Sequence, residues 1–149
     1  MNGTHRRLAG ASGLSEYPLM RDGQEYGARV ELVGACGSAF PGFNELLATL
    51  GFHVANSKWF CAPGVIFPGV MDLHSLSVTM RDVYFASPFL WGDNFGSAEF
   101  GERTVAWLLA VPVSRAESEY AIRMGPAKLE ELFTEREVDI FNLNRASVL

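Results

Sequence analysis

Cysteine is scarce in this chain: Cys36 and Cys61 are the two thiols in 149 residues. They stand far apart and outside any C-x-x-C or metal-ligand spacing, so neither a disulfide framework nor a zinc site is implied. Both are expected as buried, reduced side chains. Histidine is nearly as sparse. His5, His53 and His74 fall in different elements, and none has a ligand-type neighbour at the spacing a metal-binding helix needs. Basic clusters are missing beyond Arg6-Arg7, and the formal net charge is −5. A phosphate backbone requires a concentrated basic patch, so nucleic acid is excluded as a partner. No apolar run approaches the roughly eighteen residues of a membrane span, and Met1 to Arg7 lead into no hydrophobic segment of secretory type. A membrane is therefore excluded, and the cytoplasm is the expected compartment. Glycine loops of the G-x-G-x-x-G or G-x-x-x-x-G-K-S/T type are absent, which removes nucleotide cofactors. The stretch Gly10-Ala11-Ser12-Gly13 comes nearest to a G-x-S-x-G elbow and matches neither its spacing nor its context. No catalytic group, metal or cofactor is expected.

What is present describes a globular protein. Hydrophobic residues make up 48% and charged ones 19%, and this length fits one domain, residues 1–149, able to bury roughly two thirds of its unfolded surface. The organising stretch is Val105-Ala106-Trp107-Leu108-Leu109-Ala110-Val111. An unbroken apolar run reads as a central strand covered on both faces. Pro112 cannot donate to a ladder and is expected to end it. Ser114 and Glu117 then have the S-x-x-E spacing of a capping box opening a helix.

The rest follows in chain order. Arg6 to Ala11 is predicted as a short strand. Asp22-Gly23-Gln24 is a turn signal, after which Ala28, Val30 and Leu32 alternate with Arg29 and Glu31 up to Gly34. That alternation predicts one wet face and a sheet that is at least partly antiparallel. Phe43, Leu46, Leu47 and Leu50 recur as one helix face, and Val54 carries the stripe past Gly51 towards Asn56. Val65-Ile66-Phe67 is a short strand, Ser75 to Thr79 extended, and Arg81 to Ser87 a strand with Val83 and Phe85 on one face and Tyr84 and Ala86 on the other. Residues from Trp91 to Glu102 read as a polar, glycine-rich loop. After the central strand a helix from about Arg115 to Met124 aligns Ala116, Tyr120 and Met124. Gly125 ends it, and Pro126 starts another with Leu129, Leu132 and Phe133 on its buried face. Val138 to Leu143 reads as a final strand or extended tail. The arrangement is α+β, a mixed, largely antiparallel sheet with helices packed on it.

Glu117, Glu119, Glu130, Glu131, Glu135 and Glu137 form an acidic run, read as a solvated helix face with Glu117 as the cap partner. The aromatics Trp59, Phe60, Trp91 and Phe95 are candidate partner contacts, because aromatic anchors concentrate binding energy. An alternative use of the Trp91 to Phe95 loop is an enzyme or small-molecule site with Asp93 as its acid.

In order along the chain, several short motifs resemble the suppressor of fused family. They are Ser12-Gly13-Leu14-Ser15-Glu16-Tyr17-Pro18-Leu19, then Val30-Glu31-Leu32-Val33, the helix through Leu46, Leu47 and Leu50, and Trp59-Phe60-Cys61 with its turn. Last come Trp107 to Val113 with Glu117, then Gly125, Leu129 and Leu132, and a closing Arg145-Ala146-Ser147. The resemblance implies a non-enzymatic protein-binding module. Its compact form resembles bacterial single-domain members thought to act as immunity proteins, which implies a toxin as partner. Two departures stand out. The turn Ala62-Pro63-Gly64 lacks the carboxylate with which family members hold a peptide, and Phe52 stands where they carry a hydroxylated aromatic, which adds Phe52 to the candidate partner contacts. Family members also carry a segment ahead of the Ser12 stretch, so the resemblance implies that an amino-terminal strand is missing or that the start is internal to the gene.

Arg145 is the residue for which the resemblance and the residue pattern agree. The apolar run Val138 to Leu143 is able to dock on the sheet, and the family places an arginine at this point. Arg145 is accordingly expected to be partly buried in a bidentate pair with Glu31 or Glu117. Trp107, Ser114 and Gly125 are assigned structural roles with it.

Overall fold

The computed structural model describes residues 6–11, 13–37, 42–87, 97–100 and 103–149, with side chains over 13–34, 42–87 and 104–149. Eight strands, β1 (Arg6–Ala11), β2 (Met20–Arg21), β3 (Gln24–Glu25), β4 (Ala28–Gly37), β5 (Ile66–Phe67), β6 (Asp82–Ala86), β7 (Ser97–Phe100) and β8 (Arg103–Val113), are interspersed with three helices, α1 (Phe43–Ala55), α2 (Arg115–Met124) and α3 (Pro126–Glu135). The main sheet runs β1-β4-β8-β6-β5, with β7 also beside β8. Among the described residues β4 and β8 pair in parallel and the other pairings are antiparallel. The fold is α+β, as expected.

β8 is the centre of this sheet. Its odd and even residues feed separate cores. Leu108 and Ala110 pack with Val30, Leu32, Val83 and Phe85 under α1 through Leu46, Leu47, Leu50 and Val54. Leu109, Val111 and Val113 join Tyr84 and Ala86 under Ala121, Leu129, Ile140 and Phe141 of α2, α3 and the carboxy-terminal tail. Cover on both faces is why the run shows no alternation. α1 passes through Gly51 without a break, because both flanks of its apolar stripe are buried. It approaches β4 closely at Gly34, where a Cβ would lie 2.6 Å from the Phe43 ring.

Several expectations are corrected. Pro112 does not end β8: the strand continues to Val113, with Pro112 opposite Val83. Pairing with β4 stops at Leu109, so Pro112 has a strand on one side only, an edge position that tolerates the missing N–H. The face of Arg29 and Glu31 is not wet. A 3-10 turn at Leu14–Glu16 covers it: Ser15 donates from its N–H (2.9 Å) and hydroxyl (2.6 Å) to Glu31 Oε1. Arg29 in turn donates to the carbonyls of Ser15 and Glu16. Residues 97–100, read as loop, form β7, which pairs with β8 from Ser97↔Ala106 to Phe100↔Arg103. On α2 the buried face is Glu117, Ser118 and Ala121, rather than Ala116 and Met124, which are exposed. Val138 to Leu143 forms no strand; it is a tail with hydrogen-bonded turns at Asp139 to Asn142 and Asn142 to Arg145. Ser75 to Thr79 likewise pairs with no strand. Ser77 Oγ and Thr79 Oγ1 instead donate to the tail carbonyls of Leu143 and Arg145.

The tail is locked by a buried carboxylate. Glu117 is 0% exposed and Arg145 7%; Arg145 Nη1 and Nη2 donate to Glu117 Oε1 and Oε2 at 2.7 and 2.8 Å. Glu31 is not its partner, since Ser15 occupies it. Glu117 also accepts from the N–H groups of Ser114 (2.9 Å) and Val148 (3.1 Å). The Ser114 hydroxyl completes the capping box by accepting from Glu117 N–H and meets Ser147 Oγ at 2.7 Å. Ser114→Ala should therefore cost about 1–2 kcal/mol, read as a lower midpoint in urea; an unchanged midpoint would contradict the cap.

Burial alone would raise the Glu117 pKa, but the Arg145 guanidinium and the two N–H donors outweigh it and hold the carboxyl below its ordinary value. A depressed folded-state pKa stabilises the fold above the ordinary glutamate range, and that stabilisation is lost as pH falls through the folded-state value. Stability is thus expected to fall on acidification beneath that range, and Glu117→Gln should flatten this part of the pH profile. An identical acid limb in Glu117→Gln would contradict the assignment.

Candidate partner-binding surfaces

The residues singled out as partner contacts are only partly brought together. Phe52 lies near the end of α1 and is 57% exposed. Its neighbour His53 stacks on Trp59 with ring centroids 4.1 Å apart. Trp59 meets Phe67 edge-on at 5.0 Å, and Phe67 meets Phe85 at 4.8 Å. Trp59 is therefore the outer member of an aromatic series that begins in the core. Phe60 belongs to a different group, edge-on to Tyr26 at 5.1 Å with the Arg21 guanidinium 5.0 Å above its ring. Both Trp59 and Phe60 are half-buried against the core. Of the three, Phe52 is the exposed anchor. Trp91, Phe95 and Asp93 lie outside the described residues. Trp107 is half-buried in β8, and Gly125 joins α2 to α3.

A second surface went unnoticed in the sequence. An open groove of about 1140 Å³ runs between α3 and the tail, with Tyr84, Phe133, Val138, Ile140 and Phe141 along it and Glu130, Glu137 and Asp139 among its lining residues. Pro63 and Gly64 are also among its lining residues. Gly64 has φ +88°, and a Cβ there would lie 2.8 Å from Pro126 Cγ. This turn is where family resemblance places a carboxylate; at Gly64 the backbone conformation and the contact with α3 leave no room for a side chain.

The Cys61 thiol is buried and its pKa is pushed up by that burial, so it stays protonated. The Tyr84 hydroxyl is likewise pushed up, by burial first and by Glu130 second. Asp82 is buried and occupied by Gly69 N–H, the Ser118 hydroxyl and Arg115. Among the described residues no group of three or more His, Cys, Asp or Glu is placed to hold a metal ion, and no helix is long and apolar enough to cross a membrane.

The family model for suppressor of fused protein (SUFU) matches residues 10–146. The chain belongs to the suppressor of fused family. Immunity protein YqcF of Bacillus subtilis is 34% identical over 137 residues, covering 92% of this chain and 71% of that protein. Two solved structures of the suppressor of fused fold are similar at lower identity. A homologue from Neisseria gonorrhoeae superposes with a TM-score of 0.61 at 19% identity, covering 80% of this chain and 63% of its own. The Sufu-Fu complex superposes at 0.65 and 17% identity, covering 88% of this chain and 62% of its own. The chain thus spans less than two thirds of the length of either solved chain. The suppressor of fused motifs recognised in the sequence sit at structural points: Ser15 on Glu31, the buried stripe of α1, and the Ser114, Glu117 and Arg145 lock.

Proposed function

We propose that this protein is a non-enzymatic binding module that acts as an immunity protein, neutralising a bacterial toxin by occupying its surface in the cytoplasm. The observation that carries this reading is the likeness to immunity protein YqcF across 92% of the chain. The side chains are compatible with it: the Cys61 thiol is packed in the core, Glu117 holds Arg145, and Asp82 accepts from Ser118 and Gly69. Phe52, exposed and backed by the His53 and Trp59 stack, is a partner contact in this reading. Trp59 supports that surface from beneath, and Phe60, with Tyr26 and Arg21, is a separate candidate contact.

Co-expression tests the proposal. A toxin gene found beside the gene for this chain is expressed with and without this chain in a sensitive host. Restored growth with this chain is the expected result. Continued killing, with the chain shown to be soluble and folded, would contradict it.

A further inference from the structure

We propose that the groove between α3 and the carboxy-terminal tail docks a basic segment of the protein partner, anchored by an apolar side chain. The inference rests on the protein-binding reading above and adds the place and the chemistry of contact. Ile140 and Phe141 are buried, and Phe133 and Val138 half-buried, so the interior is apolar. Glu130, Glu137 and Asp139 give it charge of a single sign, with no Lys, Arg or His among the lining residues. Two neighbouring cations are already engaged. Lys128 pairs with Glu131, and Arg145, 5.2 Å from the Phe133 ring, is held by Glu117. An apolar channel lined with acids selects a complementary segment, with the apolar contact giving affinity and the acids giving orientation and choice of partner.

Glu137 joins this lining from the end of α3. α3 ends in a Schellman motif: Val138 N–H donates to the Phe133 carbonyl at 3.0 Å and Glu137 N–H to that of Thr134 at 3.2 Å. The residue between, Glu137, has φ +49°. Glycine is the usual occupant of that position, because a Cβ there crowds the carbonyl. A glutamate stands where the helix end would favour glycine, as Asp22, Lys58 and Ser75 stand at positive φ elsewhere, and Glu137 is among the residues lining the groove.

That conflict provides the test. Two fluorescently labelled peptides serve as probes, one carrying Leu and Trp between lysines and arginines, the other with glutamates in place of every basic residue. Binding is followed by anisotropy, and its location by NMR shifts. The basic peptide should bind, shifting Phe133, Val138 and Ile140, and more weakly at high salt. Glu137→Gly combined with Glu130→Gln should weaken it about tenfold, while Glu137→Gly by itself leaves the melting temperature unchanged or raised. Absence of binding, equal binding of the acidic peptide, shifts confined to Phe52 and α1, or a concentration-dependent dimer seated on the groove would each overturn the proposal. Co-expression separates this from the reading beneath it. Full protection by the double variant refutes the groove and keeps the immunity function. Failure of the unsubstituted chain to protect refutes that function, and the peptide result still decides the groove.

Discussion

Arg145→Ala should destabilise the protein by about 3–5 kcal/mol, although the residue stands only a few positions from the end of the sequence. Terminal residues ordinarily fray, and an exposed ion pair contributes less than about 1 kcal/mol. Here the guanidinium is bidentate on a fully buried carboxylate and also donates to the Pro112 carbonyl at 3.2 Å. Its removal leaves Glu117 charged, buried and short of two of its four donors, and that uncompensated charge is the main source of the loss. Replacing both partners together should cost less than the sum of the single changes. Glu117→Ala also removes half of the capping box, so its own loss should be at least as large. Urea denaturation of both single variants and the double variant measures this directly. Additive losses, or an Arg145→Ala midpoint equal to the parent, would place the arginine in solvent.

Phe85→Ala should be comparably damaging, at about 3–5 kcal/mol. Phe85 is fully buried towards the end of β6, opposite Ala110 of the central strand, and supports Phe67 edge-on at 4.8 Å. Its backbone is also doubly engaged, donating to Val65 O at 3.0 Å and accepting from Gly64 N–H at 2.8 Å. Truncation leaves a cavity between sheet and α1 and loosens the support of Trp59. Phe52→Ala, removing a side chain of similar size from an exposed site, should change stability by no more than about 0.5 kcal/mol. Equal losses at Phe52 and Phe85 would mean that the aromatic series has been assigned the wrong way round.

These two sites differ in how visible they were. Arg145 was legible because an apolar tail segment preceded it and the family resemblance placed an arginine there; the choice between Glu31 and Glu117 was settled only by the fold. β8, α1 and the α2 cap were legible for a similar reason, since each depends on residues adjacent in sequence. The errors came where distant residues decide. Ser97 to Phe100 has little intrinsic strand preference and is a strand because Arg103 to Ala106 lies beside it. Glu31 looked solvent-facing until the turn at Leu14–Glu16 was seen to cover it. The groove brings Gly64, Tyr84, α3 and Ile140 together from four separate segments, and no periodicity within any one of them announces a concavity. Glu137 carried a local hint, an acidic residue directly after a helix end, which is visible as strain only once φ is known.

The account as a whole rests on stoichiometric occupation of a toxin without chemistry. Purified toxin, its activity measured after mixing with increasing amounts of this protein, tests that most directly. Activity should fall linearly with added protein, reach its floor near equimolar ratio, and return when the complex is separated under denaturing conditions and the toxin refolded. Complete loss at a small fraction of that ratio, growing with incubation time and leaving the recovered toxin inactive, would show catalytic modification and contradict a binding mechanism.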